Sequence, residues 1–312
     1  MNVLSLFDGI SAGQIALNRL GIKYDNYYAS EIDKYAIQIT QKNFPKTIQL
    51  GDVSKINGYN LPKIDLMLAG PPCQDLSIAK KNRQGLDGAR SGLFWEFTRI
   101  LKEVKPKYFL VENVASMSID DCKIISSALG VLPIKINSAL VSAQSRKRYY
   151  WTNIKGDGDM FGGIGQPKDK GILLKDILED KPDIAPVKSK TVRVGGRGSG
   201  INDKYNWNTI KIGFLNKGGQ GDRIYSIDGK SVSINSQSGG TGSHTGLYSI
   251  KDKIRKLSPI ECERLQTIPD NYVAGISNTQ RYKAIGNSWT VDVICHLLSH
   301  LSPMETREDA RH

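Results

Sequence analysis

Over residues 1–154, short apolar runs alternate with stretches whose apolar positions recur every three or four residues, the pattern of strands separated by amphipathic helices. Runs at 3–7, 27–30, 64–69, 108–111 and 136–141 read as strands, and stretches at 13–20, 34–43, 92–104 and 120–129 as helices. Such alternation predicts an α/β fold with a parallel, doubly wound sheet, because crossover helices must cover both of its faces. A last run at 149–154 follows the SAQSRKR turn and is expected to pair antiparallel with its predecessor.

The pattern then changes. Of the 31 glycines, 19 fall between residues 156 and 246, interleaved with Ile, Val, Tyr and Trp, and no sequence period repeats. This predicts a smaller, loop-rich β domain over 155–256, with strands in TIKIGFLN, RIYSIDG and KSVSIN. From Ser258 the helical pattern returns, with Ser258 as N-cap and Pro259 in the first helical position. A final apolar helix over 291–301 should pack back on the first domain, so that 1–154 and 257–312 form one unit.

Charge narrows the partners. The chain of 312 residues carries a formal +12, and residues 155–256 hold 18 Lys and Arg against 11 Asp and Glu. More than half of the excess therefore sits in the glycine-rich region, which suits a polyanion such as nucleic acid. No run of about 18 apolar residues and no basic-then-apolar leader is visible, so neither a membrane span nor an export signal is expected. Four cysteines (Cys73, Cys122, Cys262, Cys295) stand far apart without a CxxC pair, which argues against a metal cluster or a disulfide framework and for a reducing, cytoplasmic setting.

Four stretches can carry chemistry. LSLFDGISAG runs from a strand through a glycine-bearing turn into a helix, a junction at which backbone approaches a ligand, although it is not the GxGxxG dinucleotide fingerprint and Asp8 would repel a pyrophosphate. Asp8, Glu31 in SEID and Asp52 in LGDV close three successive strands, an arrangement that suits an adenosine-type ligand without phosphate, of which S-adenosylmethionine is the common one. In LMLAGPPCQDLS two prolines end a strand immediately before Cys73, holding a candidate nucleophile at the strand's carboxyl end. FLVENV ends a strand in Glu112, a carboxyl group whose pKa desolvation would raise, and AQSRKRYYW sets Arg146 and Arg148 two apart, on one face of a strand.

In order, FDGISAG, SEID, GDV, PPCQDLS, ENV, QSRKR, RKLSPIECERLQTIP and RYKAIGNSWTV resemble the motif series of the DNA cytosine-5 methyltransferases, over residues 4 to about 300 with one gap at about 155–253. FDGISAG, QDLS, GLFWEF and GNSWTVDVICHL look like the catalytic domain of the mammalian de novo enzymes, and GGQGDRIYSIDGK like bacterial and phage enzymes. The resemblance implies a Rossmann-like methyltransferase domain using S-adenosylmethionine, with a target recognition domain in the gap. It implies that Cys73 attacks carbon 6 of a cytosine flipped out of duplex DNA, that Glu112 serves ring nitrogen 3, and that Arg148, supported by Arg146, orients the glutamate and the base. Phe7, Asp8, Gly9, Ser11, Glu31, Ile32, Asp52, Val53, Pro72, Leu93, Asn287, Ser288 and Trp289 match positions that line the cofactor pocket.

By the same resemblance, residues 74–92 correspond to the mobile loop that closes over the flipped base, placing Gln74, Ser77, Lys80, Lys81, Arg83 and Arg90 on double-stranded DNA. In the recognition region, Arg193, Arg197, Lys217, Arg223 and Ser233 are expected to contact DNA. Two departures stand out: Ser233-Ile234 where many bacterial relatives have Thr-Leu, and Ser11-Ala12 where they often have Gly-Gly. The reading is of a monomer acting in the cytoplasm, associated with the nucleoid, and leaves open a cognate restriction endonuclease. A tRNA methyltransferase of the same fold and a non-catalytic DNA-binding relative stand as the alternatives.

Overall fold

The computed structural model describes residues 1–72, 92–156, 163–180, 209–215, 220–236, 241–251 and 253–301. Seven strands form the main sheet: β1 Asn2–Leu6, β2 Asn26–Ser30, β3 Ile48–Gln49, β4 Leu66–Ala69, β5 Tyr108–Val114, β6 Ile134–Asn137 and β7 Lys147–Thr152. Their order is β3-β2-β1-β4-β5-β7-β6. The first five are parallel, and β7 runs antiparallel to both of its neighbours, so the predicted antiparallel return is inserted between β5 and β6. The chain leaves β1 in one direction along the sheet and resumes at β4 in the other. The crevice at the carboxyl ends of β1 and β4 is therefore the topological switch point, where open α/β sheets place ligands.

The strands bury both faces. Val3, Leu66, Leu68 and Leu110 lie in one core with residues of α1 (Ala12–Arg19), α2 (Lys34–Asn43) and the C-terminal α7 (Val291–Leu298). Leu4, Leu6, Met67, Ala69, Phe109 and Val111 lie in a second core with α3 (Leu93–Val104) and α4 (Ile119–Leu129). Local chemistry sets the helix starts. Asp33 caps α2 by accepting from the Tyr35 and Ala36 amides, and Ser258 caps α5 (Pro259–Leu265) in a reciprocal box with Glu261, with Pro259 where the sequence places it.

A four-stranded sheet in the order β11-β10-β9-β8 lies between β7 and α5 in the chain, built from β8 Lys211–Phe214, β9 Arg223–Tyr225, β10 Leu247–Ile250 and β11 Lys253–Arg255. Leu215, Ile224 and Leu247 make its own small core. Two expectations need correction. KSVSIN is not a strand of this sheet: Ser231 instead forms an isolated parallel bridge with Gln144, beside the main sheet. The run expected over 136–141 leaves the sheet at Asn137, whose side chain caps a 3-10 turn over Ser138–Leu140. A helix that the pattern did not predict, α6 (Asn278–Asn287), precedes α7. Among the described residues no helix is long and apolar enough to cross a membrane.

Candidate active site

The turn after β1 is built from alternating left-handed residues: Phe7, Gly9 and Ser11 have φ of 57°, 58° and 59°. Glycine accepts that conformation freely, whereas Phe7 and Ser11 need outside support. The side chain of Glu31 supplies part of it. One oxygen accepts from the Gly9 amide at 2.8 Å, and the other from the Ile32 and Asp33 amides at 2.7 and 2.8 Å. The rest comes from behind the turn, where Asp8 accepts from Ser11 Oγ and from the Tyr27 hydroxyl at 2.8 Å, and Thr40 Oγ1 donates to the Gly9 carbonyl at 3.4 Å. Burial pushes the Asp8 carboxyl up to about 6, against the opposing pull of hydrogen bonds from Ser11, Ser5 and Tyr27. Asp52, just after β3, accepts from the amide and hydroxyl of Ser54, both at 2.9 Å, which holds its carboxyl below the usual range.

A cavity of about 600 Å³ opens at the switch point. Nine of the thirteen residues expected at a cofactor line it: Phe7, Gly9, Glu31, Ile32, Asp52, Val53, Pro72, Leu93 and Asn287. Asp8, Ser11, Ser288 and Trp289 are not part of that lining. Ser11, Ser288 and Trp289 are buried. The Trp289 indole fills the space beside Gly70, where a Cβ would come within 2.9 Å of Nε1; the backbone leading into Pro71-Pro72 thus passes close against the ring. Ile32 is 75% exposed, an aliphatic side chain left at the cavity edge. Sequence reasoning missed Asp33, Tyr35, Gln280 and Lys283, which also line the cavity, and a 2.6 Å ion pair joins Lys283 to Asp33. Only the place of Asp33 as the last residue of SEID signalled this part of the wall.

At the cavity's other end stand Glu112, Asn113, Arg146, Arg148 and Ser233. Glu112 on β5 faces Tyr150 on β7, and Val114 faces Arg148, so Glu112 and Arg148 are diagonal neighbours on one face. Arg148 Nε meets Glu112 Oε1 at 2.7 Å, with the side chains 16% and 13% exposed. Asn113 Nδ2 donates to the Pro71 carbonyl at 3.4 Å, tying β5 to the two-proline turn.

Arg146 lies just before β7 begins, so its place in the cavity wall does not come from strand alternation. It is buried, and its guanidinium donates to the carbonyls of Ile234 at 2.9 Å and of Gly286 and Ser288 at 3.2 Å, and to Ser233 Oγ at 3.4 Å. It thereby fastens the segment after β9 and the end of α6 to the main sheet. Arg223 is exposed on β9, outside the cavity lining. Cys73, Gln74, Ser77, Lys80, Lys81, Arg83, Arg90, Arg193, Arg197 and Lys217 lie outside the described residues. The cysteines that are described are all free, and burial raises each thiol: Cys295 to about 11, Cys262 further, and Cys122 less. None of the three is suited to nucleophilic attack at neutral pH.

Residues 1–302 match the profile of a family described as C-5 cytosine-specific DNA methylase. Type II methyltransferase M.HhaI of Haemophilus parahaemolyticus is 29% identical, across 95% of this chain and 93% of that protein. Type II methyltransferase M1.ScrFI of Lactococcus lactis subsp. cremoris is 30% identical, across 94% of this chain and 75% of its own length. The solved structure of the Entamoeba histolytica methyltransferase EhMeth shares the fold, with a TM-score of 0.72 at 18% identity over 100% of this chain and 99% of that one. The match spans the whole doubly wound sheet, the cavity at its switch point and the Glu112–Arg148 pair, and the chain belongs to the C-5 cytosine-specific DNA methylase family.

Proposed function

We propose that the chain methylates carbon 5 of a specific cytosine in duplex DNA, with the target base flipped into the cavity and held covalently by Cys73. The observation that carries this reading is the continuity of the cavity, which runs from the acidic strand ends Glu31 and Asp52 to the Glu112–Arg148 pair past Pro71-Pro72, the residues directly before Cys73. One space therefore serves both a methyl donor and an acceptor ring.

The residues present fit S-adenosylmethionine. The exposed Ile32 offers an apolar surface to an adenine, Glu31 at the end of β2 a carboxylate to ribose hydroxyls, and the turn at Phe7 and Gly9 a close backbone approach, while Glu31 and Asp52 together would repel a phosphate. S-adenosylmethionine supplies an electrophilic methyl group at this end of the cavity. Extruding the base costs a few kcal/mol of stacking and pairing, met by contacts that the extruded cytosine gains with Glu112 and Arg148. The thiolate of Cys73 adds to carbon 6 while Glu112 serves ring nitrogen 3, which makes carbon 5 nucleophilic. After methylation a base removes the carbon 5 proton, the electron pair re-forms the ring double bond, and Cys73 leaves. Arg148 fixes the carboxylate of Glu112, and Arg146 holds the wall on which Ser233 lies.

Bisulfite sequencing of a host genome expressing the protein is expected to show full methylation at one short motif. Duplex DNA carrying 5-fluorocytosine in that motif should form an adduct that survives denaturation and is lost in Cys73→Ser. Incorporation of label into tRNA alone, in parallel assays, or an active Cys73→Ser protein would overturn the reading.

A further inference from the structure

The mechanism leaves Lys230, a buried cation, unused. Lys230 is 2% exposed, and its ammonium donates to three main-chain carbonyls: Ala139 at 2.8 Å, Ser142 at 3.0 Å and Ile172. The three contacts use all three N–H groups of the ammonium. Burial lowers its pKa, and the more distant Asp169 and Asp176 only partly oppose this. A desolvated ammonium without a carboxylate among its hydrogen-bond partners is costly, so the position calls for a reason.

Two of the three carbonyls indicate what that reason is. Ala139 and Ser142 belong to the turn between β6 and β7 that leads into Arg146, and Ser138 itself donates its amide to the Arg146 carbonyl at 2.9 Å. Immediately after Lys230 the chain runs beside this turn. Ser231 donates to the Ala143 carbonyl at 2.7 Å and accepts from the Ser145 amide at 3.0 Å, and the Ile234 amide donates to Gln144 Oε1 at 2.8 Å. The two segments bring Arg146 and Ser233 to the same cavity wall, and a slip of one along the other would move both groups. A salt bridge could not fix this register as well, because the carbonyls of a turn have a fixed spacing that only the correct alignment presents to one ammonium.

We propose that Lys230 is a positioning residue for the target base: its carbonyl-bound ammonium sets the register between the segment carrying Arg146 and the segment carrying Ser233. The inference rests on the proposed methyl transfer to a flipped cytosine. It predicts an effect confined to the base end of the cavity, since the hydrogen bonds of Lys230 go to Ala139, Ser142 and Ile172 and not to the strand ends that would hold the cofactor.

The test compares the full-length protein with Lys230→Met, which keeps an unbranched side chain one atom shorter and removes its donors, and with Lys230→Arg, which keeps the charge and the donors. Concentrations are normalised to S-adenosylhomocysteine sites titrated by calorimetry, so that only folded protein is counted. In single-turnover transfer to duplex DNA, Lys230→Met is expected to slow about tenfold or more. Its dissociation constant for S-adenosylhomocysteine should stay within about twofold, with Lys230→Arg recovering most of the rate. Amide exchange in Lys230→Met should quicken at 139–146 and 231–234 and stay unchanged at 2–30, a readout independent of turnover. An unchanged rate, a cofactor affinity that weakens in step with the rate, or unchanged exchange in the two segments would overturn the proposal. Absence of DNA methylation by the wild type would instead overturn the proposed function, leaving exchange to decide on Lys230.

Discussion

Gly286 lies in the last turn of α6, where helix propensity and packing make opposite predictions for Gly286→Ala. Propensity alone favours alanine by about 1 kcal/mol in a helix interior. Packing opposes it. A Cβ at this position would stand 2.4 Å from the carbonyl carbon of Asn235, 2.6 Å from its oxygen and 2.6 Å from the Ser236 nitrogen. Those atoms are backbone and cannot rotate aside, so restoring ordinary contact requires α6 and the 235–236 segment to part by about 1 Å. Overpacking of this kind costs roughly 1–3 kcal/mol, and backbone neighbours place it toward the upper end. The expected net loss is about 1–2 kcal/mol, or a few degrees in melting temperature for a chain of this size.

The catalytic consequence should be larger than the thermal one. The Gly286 carbonyl accepts from Arg146, so the displacement reaches the cavity wall that Arg146 and Ser233 share, the wall proposed to meet the target base. A shift of that size in a positioned group can cost about a hundredfold in rate. Differential scanning calorimetry and single-turnover transfer measure the two effects on the same samples. A Gly286→Ala protein that melts at or above the wild type and methylates at the wild-type rate would refute the reasoning.

Two further predictions follow from the site. Glu112→Gln keeps the shape beside Arg148 and removes the charge; it is expected to lower transfer by about 10²–10⁴ while S-adenosylhomocysteine affinity stays within about twofold, and equal losses in both would mark Glu112 as structural. Asp8 has its carboxyl raised from 3.8 to about 6, so its contribution to stability is complete below pH 3.8 and lost as pH rises through 6. The stability of wild type minus that of Asp8→Asn should therefore fall between pH 4 and 8, by at most about 3 kcal/mol for a shift of this size, and urea unfolding curves that run parallel over that range would remove the assignment.

Much of the sheet was legible because its signals are local. The apolar stripe over 34–43 gives α2 with the observed bounds, and the predicted strand ends place Glu31, Asp52 and Glu112 at the cavity. Ser258 and Pro259 announce α5 by cap chemistry alone. By contrast α6, reading NTQRYKAIGN, has no apolar stripe; it packs against α5, and it meets the 235–236 backbone where Gly286 allows close approach, contacts that no window of sequence contains. Arg146 and Lys230 were obscured for the same reason. A basic residue in a polar stretch reads as solvated or as facing an anion, yet the carbonyls that bury Arg146 come from residues 234, 286 and 288, and those that bury Lys230 from 139, 142 and 172. Such burial is a product of topology.

The unequal way in which the two sheet faces are covered bears on how the chain is made. The face bearing Leu4, Leu6 and Met67 is covered by α3 and α4, which leave the ribosome soon after the strands they protect. The face bearing Val3, Leu66 and Leu110 is completed by residues from Leu257 onward and by α7, the last described helix. During synthesis that second face must wait, covered only in part by α1 and α2, while the whole glycine-rich region is translated. A nascent chain stalled before Leu257 therefore presents a half-covered sheet, the kind of surface that chaperones bind and that aggregates when they are scarce.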